Sequence, residues 1–147
     1  MTHGGLSPTK VDAIHFENGN AYYHPQVNSE SLNEIKRVCS LWLRIRGLEN
    51  KEEIKRILES LNVPPESWAP LFDVPQRPQV DCLNTAVLVV IHRLSVGTTA
   101  GDLISEQVGF LLLPGLLITV EEGSSGEAFP DLSNWILSGR SLVNDGD

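Results

Sequence analysis

Three titratable side chains within ten residues, His15, Glu17 and His24, have the types and the spacing to share an ion. If Asn18-Gly19 makes a two-residue turn, His15 pairs across the hairpin with Tyr22, and His24 lies diagonally on the same face. Imidazole and carboxylate groups so placed are ligands for a borderline divalent metal; the plainer alternative is a solvated hairpin face carrying polar residues. His92 follows an apolar run, where a histidine bonded to backbone is the commoner outcome and no nucleophile accompanies it. The sequence holds no G-x-S-x-G, Walker loop, G-x-G-x-x-G or H-E-x-x-H, and its carboxylates are scattered. The expectation is no catalytic residue and no enzyme. A hydrolase built on His92 or the hairpin histidines is the least supported reading.

The chain has 147 residues, 41% of them hydrophobic and 20% charged, enough for one domain with a real core. A formal charge of -8, with no cluster of Lys or Arg, argues against nucleic acid. Cys39 and Cys82 lie far apart with no CxxC, which fits a reducing cytoplasm better than a disulfide framework. The longest uncharged run, Gln107 to Val120, is shorter than the roughly 20 residues of a spanning helix and is broken by Pro114-Gly115. The N-terminus has no basic region leading an apolar stretch, so a signal peptide is not expected and the chain reads as soluble.

The elements that must position these groups follow from period and punctuation. Asn18-Gly19 joins two strand-like runs. Ser31 to Glu34 matches a capping box, with Leu32, Ile35 and Val38 on the stripe that follows. Leu41 to Arg46 alternates as a strand. Asn50 to Leu61 is the clearest helix, with Ile54, Ile57, Leu58 and Leu61 inward and Glu52 facing Arg56; Pro64-Pro65 stops it and can open a second short helix. Val80 to Leu94 is apolar, and Ala86 to Ile91 lacks polar alternation, which predicts a strand covered on both faces. Glu106 to Leu113 and Leu116 to Glu121 are antiparallel neighbours across Pro114-Gly115. Leu132, Trp135 and Ile136 mark a last helix ending at Gly139. Helices alternating with apolar strands predict an α/β fold, a mixed sheet with helices on both faces.

One stretch interrupts this core with polar residues. Pro75 and Pro78 fix φ around Gln76-Arg77 and make a stiff elbow that feeds a buried strand. Glu106-Gln107 opens another apolar strand, so an Arg77–Glu106 pair would pin two strand ends together.

The blocks QRPQVD (76–81), SEQVGFLLL (105–113), LLITVEE (116–122) and WLRIRGL (42–48), with the helix around Trp135, resemble in order and spacing the N-terminal cytoplasmic domain of CorA-type divalent metal ion transporters, over about residues 40 to 140. The resemblance implies an αβα sandwich at residues 10–140, preceded by a flexible tail at 1–9 and followed at 141–147 by the truncated start of a long helix leading to membrane spans. It implies a pentameric homo-oligomer on the cytoplasmic side of the inner membrane, attached to it only through those missing helices, and a regulatory or assembly role in Mg²⁺ or Co²⁺ transport. The motif residues it carries over are Trp42, Gln76, Arg77, Pro78, Glu106 and Gln107. In that family Mg²⁺ or another divalent cation bound between neighbouring domains favours the closed pore. The family commonly places a Glu-Asp pair, whose Asp is the metal ligand, where this chain has Ala69-Pro70; Asp73 and Glu66 are the nearby carboxylates left to replace it. The alternative is a free-standing acidic binding module with the same fold and no transport role.

Overall fold

Asn18 and Gly19 adopt φ of 52° and 78°, the two positive values that a hairpin turn matching strand twist requires. The turn folds β1 (Lys10–Glu17) against β2 (Asn20–His24) with His15 opposite Tyr22 and Ala13 opposite His24. This computed structural model describes residues 6–35, 40–72, 76–97 and 99–123, and residues 129, 131 and 134. Within them β3 (Ser40–Arg46), β4 (Gln79–Leu83), β5 (Ala86–Val96), β6 (Leu103–Leu113) and β7 (Leu116–Glu121) complete a seven-stranded sheet in the order β2-β1-β3-β7-β6-β5-β4. The β3–β7 pair is parallel and the other described pairs are antiparallel, so this is a mixed sheet in an α/β fold.

Three helices follow their sequence signals with two shifts. The first, α1 (Ser29–Ile35), begins earlier than the Ser31 box implies. Asn28 is the capping side chain, its Oδ1 accepting from the Ser31 amide at 2.9 Å while the Asn28 amide donates to Ser31 Oγ at 2.9 Å. Asn outranks nothing chemically here; its short acceptor simply reaches the third amide of the turn first. Val38 lies outside the described residues. The second, α2 (Lys51–Ser60), is capped by Asn50 and buries Ile54, Ile57 and Leu58. Arg56 pairs with Glu53 at 2.9 Å and Lys55 with Glu52 at 3.7 Å, both three residues apart, in place of the expected Glu52–Arg56 contact. The third, α3 (Pro65–Trp68), has proline in its first turn and runs into a 3₁₀ turn, Ala69–Phe72.

The main core joins Leu32, Ile54, Ile57, Leu58, Trp68 and Leu71 from the helical side to Leu43, Ile45, Leu88, Leu111 and Ile118 of the sheet. All three described helices therefore pack on one face. The last helix expected around Trp135 lies outside the described residues. On the other face Ile14 and Trp42 gather Phe16, Leu117 and Phe129 beside an apolar groove of about 540 Å³. The run from Val80 to Leu94 is two strands, turning at Asn84-Thr85. In β5 the residues Ala86, Leu88 and Val90 are buried, whereas Val87 and Val89 are half-buried and Ile91 is exposed. The lack of alternation there reflects two apolar faces of unequal cover.

Ser7 to Thr9, expected in a loose tail, are tied down: the Glu49 amide donates to the Ser7 carbonyl at 3.1 Å, and Thr9 Oγ1 donates to the Gly47 carbonyl at 2.8 Å. No helix among the described residues is long and apolar enough to cross a membrane.

Candidate functional site

Gln76 is where the described chain resumes after the 3₁₀ turn, and every polar group it carries is engaged. Its amide donates to Gln107 Oε1 at 2.7 Å, and its Nε2 donates to the Pro70 carbonyl at 2.6 Å. Its Oε1 accepts from Gln79 Nε2 at 2.5 Å, and its carbonyl accepts from His92 Nε2. A carbonyl only accepts, so Nε2 of His92 carries the proton. The ring's other nitrogen then faces Ser105 Oγ at 3.4 Å as an acceptor. His92 is thus the backbone-bonded histidine anticipated from its place after an apolar run, and its two nitrogens are taken up by the elbow and β6.

Arg77 does not reach Glu106. It is exposed, as is Pro78, whereas Glu106 is 0% exposed and takes the Nη2 of Arg93, its direct cross-strand partner. The second Glu106 oxygen accepts from the Gly123 amide at 2.7 Å, and the neighbouring Gln107 amide donates to Glu122 Oε2 at 2.5 Å. A buried carboxylate needs a cation and donors at close range. Arg93, held in register by the ladder, supplies the cation where a flexible side chain on the elbow would have to cross the strand. The elbow and β6 are joined, but by the Gln76 amide and Gln107 in place of the expected Arg77–Glu106 pair.

Beside the elbow an open cleft of about 700 Å³ is lined by Glu66, Ala69, Pro70, Phe72, Gln76, Gln79 and Asp81. The fold thus brings Glu66, Ala69, Pro70 and Gln76 together and adds Asp81, which sequence reasoning missed. Asp81 was hidden because its place depends on the β4–β5 pairing, which no local pattern around it announces. Asp73 lies outside the described residues. Among the described residues no group of three or more His, Cys, Asp or Glu side chains is arranged to hold a metal ion. The cleft is open and offers the hard oxygen donors Glu66 and Asp81 among its lining, a setting for a hydrated cation held by few protein groups.

Trp42 stands apart on the opposite face. Its Nε1 donates to Thr119 Oγ1 at 3.1 Å, and the Arg44 guanidinium lies 5.4 Å from its ring centroid. Arg44 in turn grips Asp12 with two bonds, 2.8 and 2.7 Å, and the Tyr23 hydroxyl donates to the same carboxylate at 2.7 Å. Burial, and then the Asp12 carboxylate, push the Tyr23 phenol above its ordinary value. This is a structural knot binding β1, β2 and β3.

On the β1–β2 hairpin, His15 Nδ1 and His24 Nε2 stand 2.6 Å apart, and His15 Nε2 lies 3.6 Å from Glu17 Oε2. The contact foreseen from the turn is therefore made. Burial first, and His15 second, hold His24 below its ordinary value, which favours the neutral ring.

No protein-family model matches the sequence. Among curated proteins the chain is similar to a cobalt/magnesium transport protein CorA of Thermotoga maritima, 24% identical over 102 residues, which is 69% of this chain and 29% of that protein. Among solved structures, the full-length CmaX protein matches 95% of this chain and 42% of its own at a TM-score of 0.65 and 16% identity. The cytoplasmic domain of ZntB from Vibrio parahaemolyticus matches 88% of this chain and 50% of its own, TM-score 0.62 and 15% identity. The soluble domain of CorA from Methanocaldococcus jannaschii matches 92% and 50%, TM-score 0.62 and 14% identity. This chain thus spans half or less of each of these proteins. Its fold is similar to that of the soluble domain of that CorA and of the ZntB cytoplasmic domain.

Proposed function

We propose that this chain is the cytoplasmic-side domain of a divalent cation transporter or channel of the CorA type, with a regulatory and assembly role and no catalysis. The observation that carries the reading is the sequence likeness to a cobalt/magnesium transport protein over 102 residues, on a fold also found in the soluble domain of a CorA and the cytoplasmic domain of a ZntB. In this reading the pore is formed by membrane helices outside these 147 residues, at the inner membrane, and the domain works as one member of a pentameric ring. The cleft beside Gln76 is its ion-sensing surface. Ala69 and Pro70 carry no carboxylate, so Glu66 and Asp81 of the cleft lining, with Asp73 between them in sequence, take over as ligands for a hydrated Mg²⁺ or Co²⁺.

Thermal melting and sedimentation of the chain with and without millimolar MgCl₂ test the sensing role. A ligand that binds only the folded state stabilises it by about 2.7 kcal/mol at a hundredfold excess over its dissociation constant. A melting shift or Mg²⁺-dependent assembly that disappears in Glu66→Gln/Asp81→Asn is the expected result. No shift in the unaltered chain removes ion sensing by this cleft. Loss of Mg²⁺ or Co²⁺ uptake on disrupting the gene tests the transport role separately, and unchanged uptake of both ions removes it.

A further inference from the structure

The β1–β2 hairpin carries a pair of imidazoles whose nitrogens converge, and the cleft beside Gln76 has no part in it. The Asn18-Gly19 turn sets the register that puts His15 and His24 on one face, diagonal to each other. Tyr22 stacks on the His15 ring with centroids 4.7 Å apart and planes 19° apart, and the His24 ring lies 4.9 Å away at 27°. His15 Nδ1 and His24 Nε2 then face one another at 2.6 Å. Only one proton fits between two such nitrogens, and a metal ion can take its place.

We propose that His15 Nδ1 and His24 Nε2 form a two-imidazole site for a borderline divalent transition ion, Zn²⁺ or Ni²⁺, with Glu17 orienting the His15 ring.

Three features of the hairpin carry this assignment. The Glu17 carboxylate lies 3.6 Å from the far nitrogen of His15, beyond hydrogen-bond length, and a side-chain rotation that brings it into bonding range would orient the ring as carboxylates orient ligating histidines. At metal–nitrogen bonds of about 2.0–2.1 Å in tetrahedral geometry the two nitrogens must open to about 3.3 Å. A shift of that size falls to His24, which is half-buried on the edge strand β2, whereas His15 sits on β1 between two strands. Tyr22 beside it on the same face is exposed, so water reaches the ion's remaining positions. Among the described residues no group of three His, Cys, Asp or Glu is arranged to hold a metal ion, and Glu17 faces the far side of the His15 ring, which makes this a site of two protein ligands completed by water. Imidazole selects Zn²⁺ and Ni²⁺ over Mg²⁺, the reverse of a cleft that offers carboxylates. The inference therefore stands whether or not the transport reading does.

Calorimetric titration of the full chain with ZnCl₂, NiCl₂ and MgCl₂ tests it. One Zn²⁺ or Ni²⁺ per chain is expected, with MgCl₂ silent at this hairpin. His24→Ala weakens binding at least tenfold, and Glu17→Gln, which keeps the hairpin's shape, weakens it by roughly 10–100-fold. Melting of the metal-free variants shows that they fold; if His24→Ala does not, Glu17→Gln alone decides. No binding of either ion, or binding unchanged in the folded variants, overturns the assignment.

Discussion

At the scale of single residues, two charged side chains with similar sequence settings separate completely in energetic terms. Glu106 is fully buried with Arg93 and the Gly123 amide as partners, and Arg77 is exposed. Removing one member of a buried pair leaves the other uncompensated, so Glu106→Ala is expected to lower stability by about 3 kcal/mol. Arg77→Ala is expected to change it by less than about 0.5 kcal/mol. Urea titration of the two variants checks both numbers, and a larger loss for Arg77→Ala would restore the pairing expected from sequence. Gln76 was legible as part of a stiff elbow because two prolines frame it; its four partners were not, since Pro70, Gln79, His92 and Gln107 come from separate elements.

Elements impose the next constraint, through backbone geometry. Gly47 has φ of +87°, and a Cβ there would stand 2.0 Å from the Pro8 carbonyl oxygen. Its amide donates to the Glu121 carbonyl at 2.9 Å, which ties the end of β3 to β7 while Thr9 Oγ1 holds the Gly47 carbonyl. A left-handed backbone with a main-chain atom in the way is closed to side chains, and Gly47→Ala is expected to lose about 2 kcal/mol or more. Hydrogen exchange provides a second readout: amides of Gly47 and Glu49 lose protection first, before those of the β5–β6 ladder. The elbow gives a parallel case. Gln76→Ala removes the acceptor and donor that hold Gln79 and the Pro70 carbonyl, so its expected cost is about 2 kcal/mol, read from the same urea titration.

For the whole molecule the deciding quantity is charge. A net charge of -8 on 147 residues repels itself across the surface. The screening length falls from about 30 Å at 0.01 M salt to about 10 Å at 0.1 M, so NaCl is expected to raise the melting temperature by a few degrees over that range. The gain comes from exposed carboxylates, because the buried Asp12–Arg44 pair is little screened. A fall in melting temperature with salt would show that surface attractions outweigh the net repulsion.

By itself the sequence determined the local structure and the class. The Asn18-Gly19 turn, the α2 stripe, the Pro64-Pro65 stop and the Pro114-Gly115 connection each depend on neighbours within a few positions, where φ restrictions and the 3.6- and 2-residue periods act directly. The turn even fixed the meeting of His15 with His24, since a two-residue connection leaves one register. The tertiary structure alone decided what the partners of buried charges are and which carboxylates share a cleft. Arg93 rather than Arg77 meets Glu106, and Asp81 joins Glu66, because the strand order β7-β6-β5-β4 and the fold-back of the 3₁₀ turn bring them together. Long-range register is set by how the two apolar faces of the sheet are covered, and that is a property of the packed chain, which no stretch of ten residues carries.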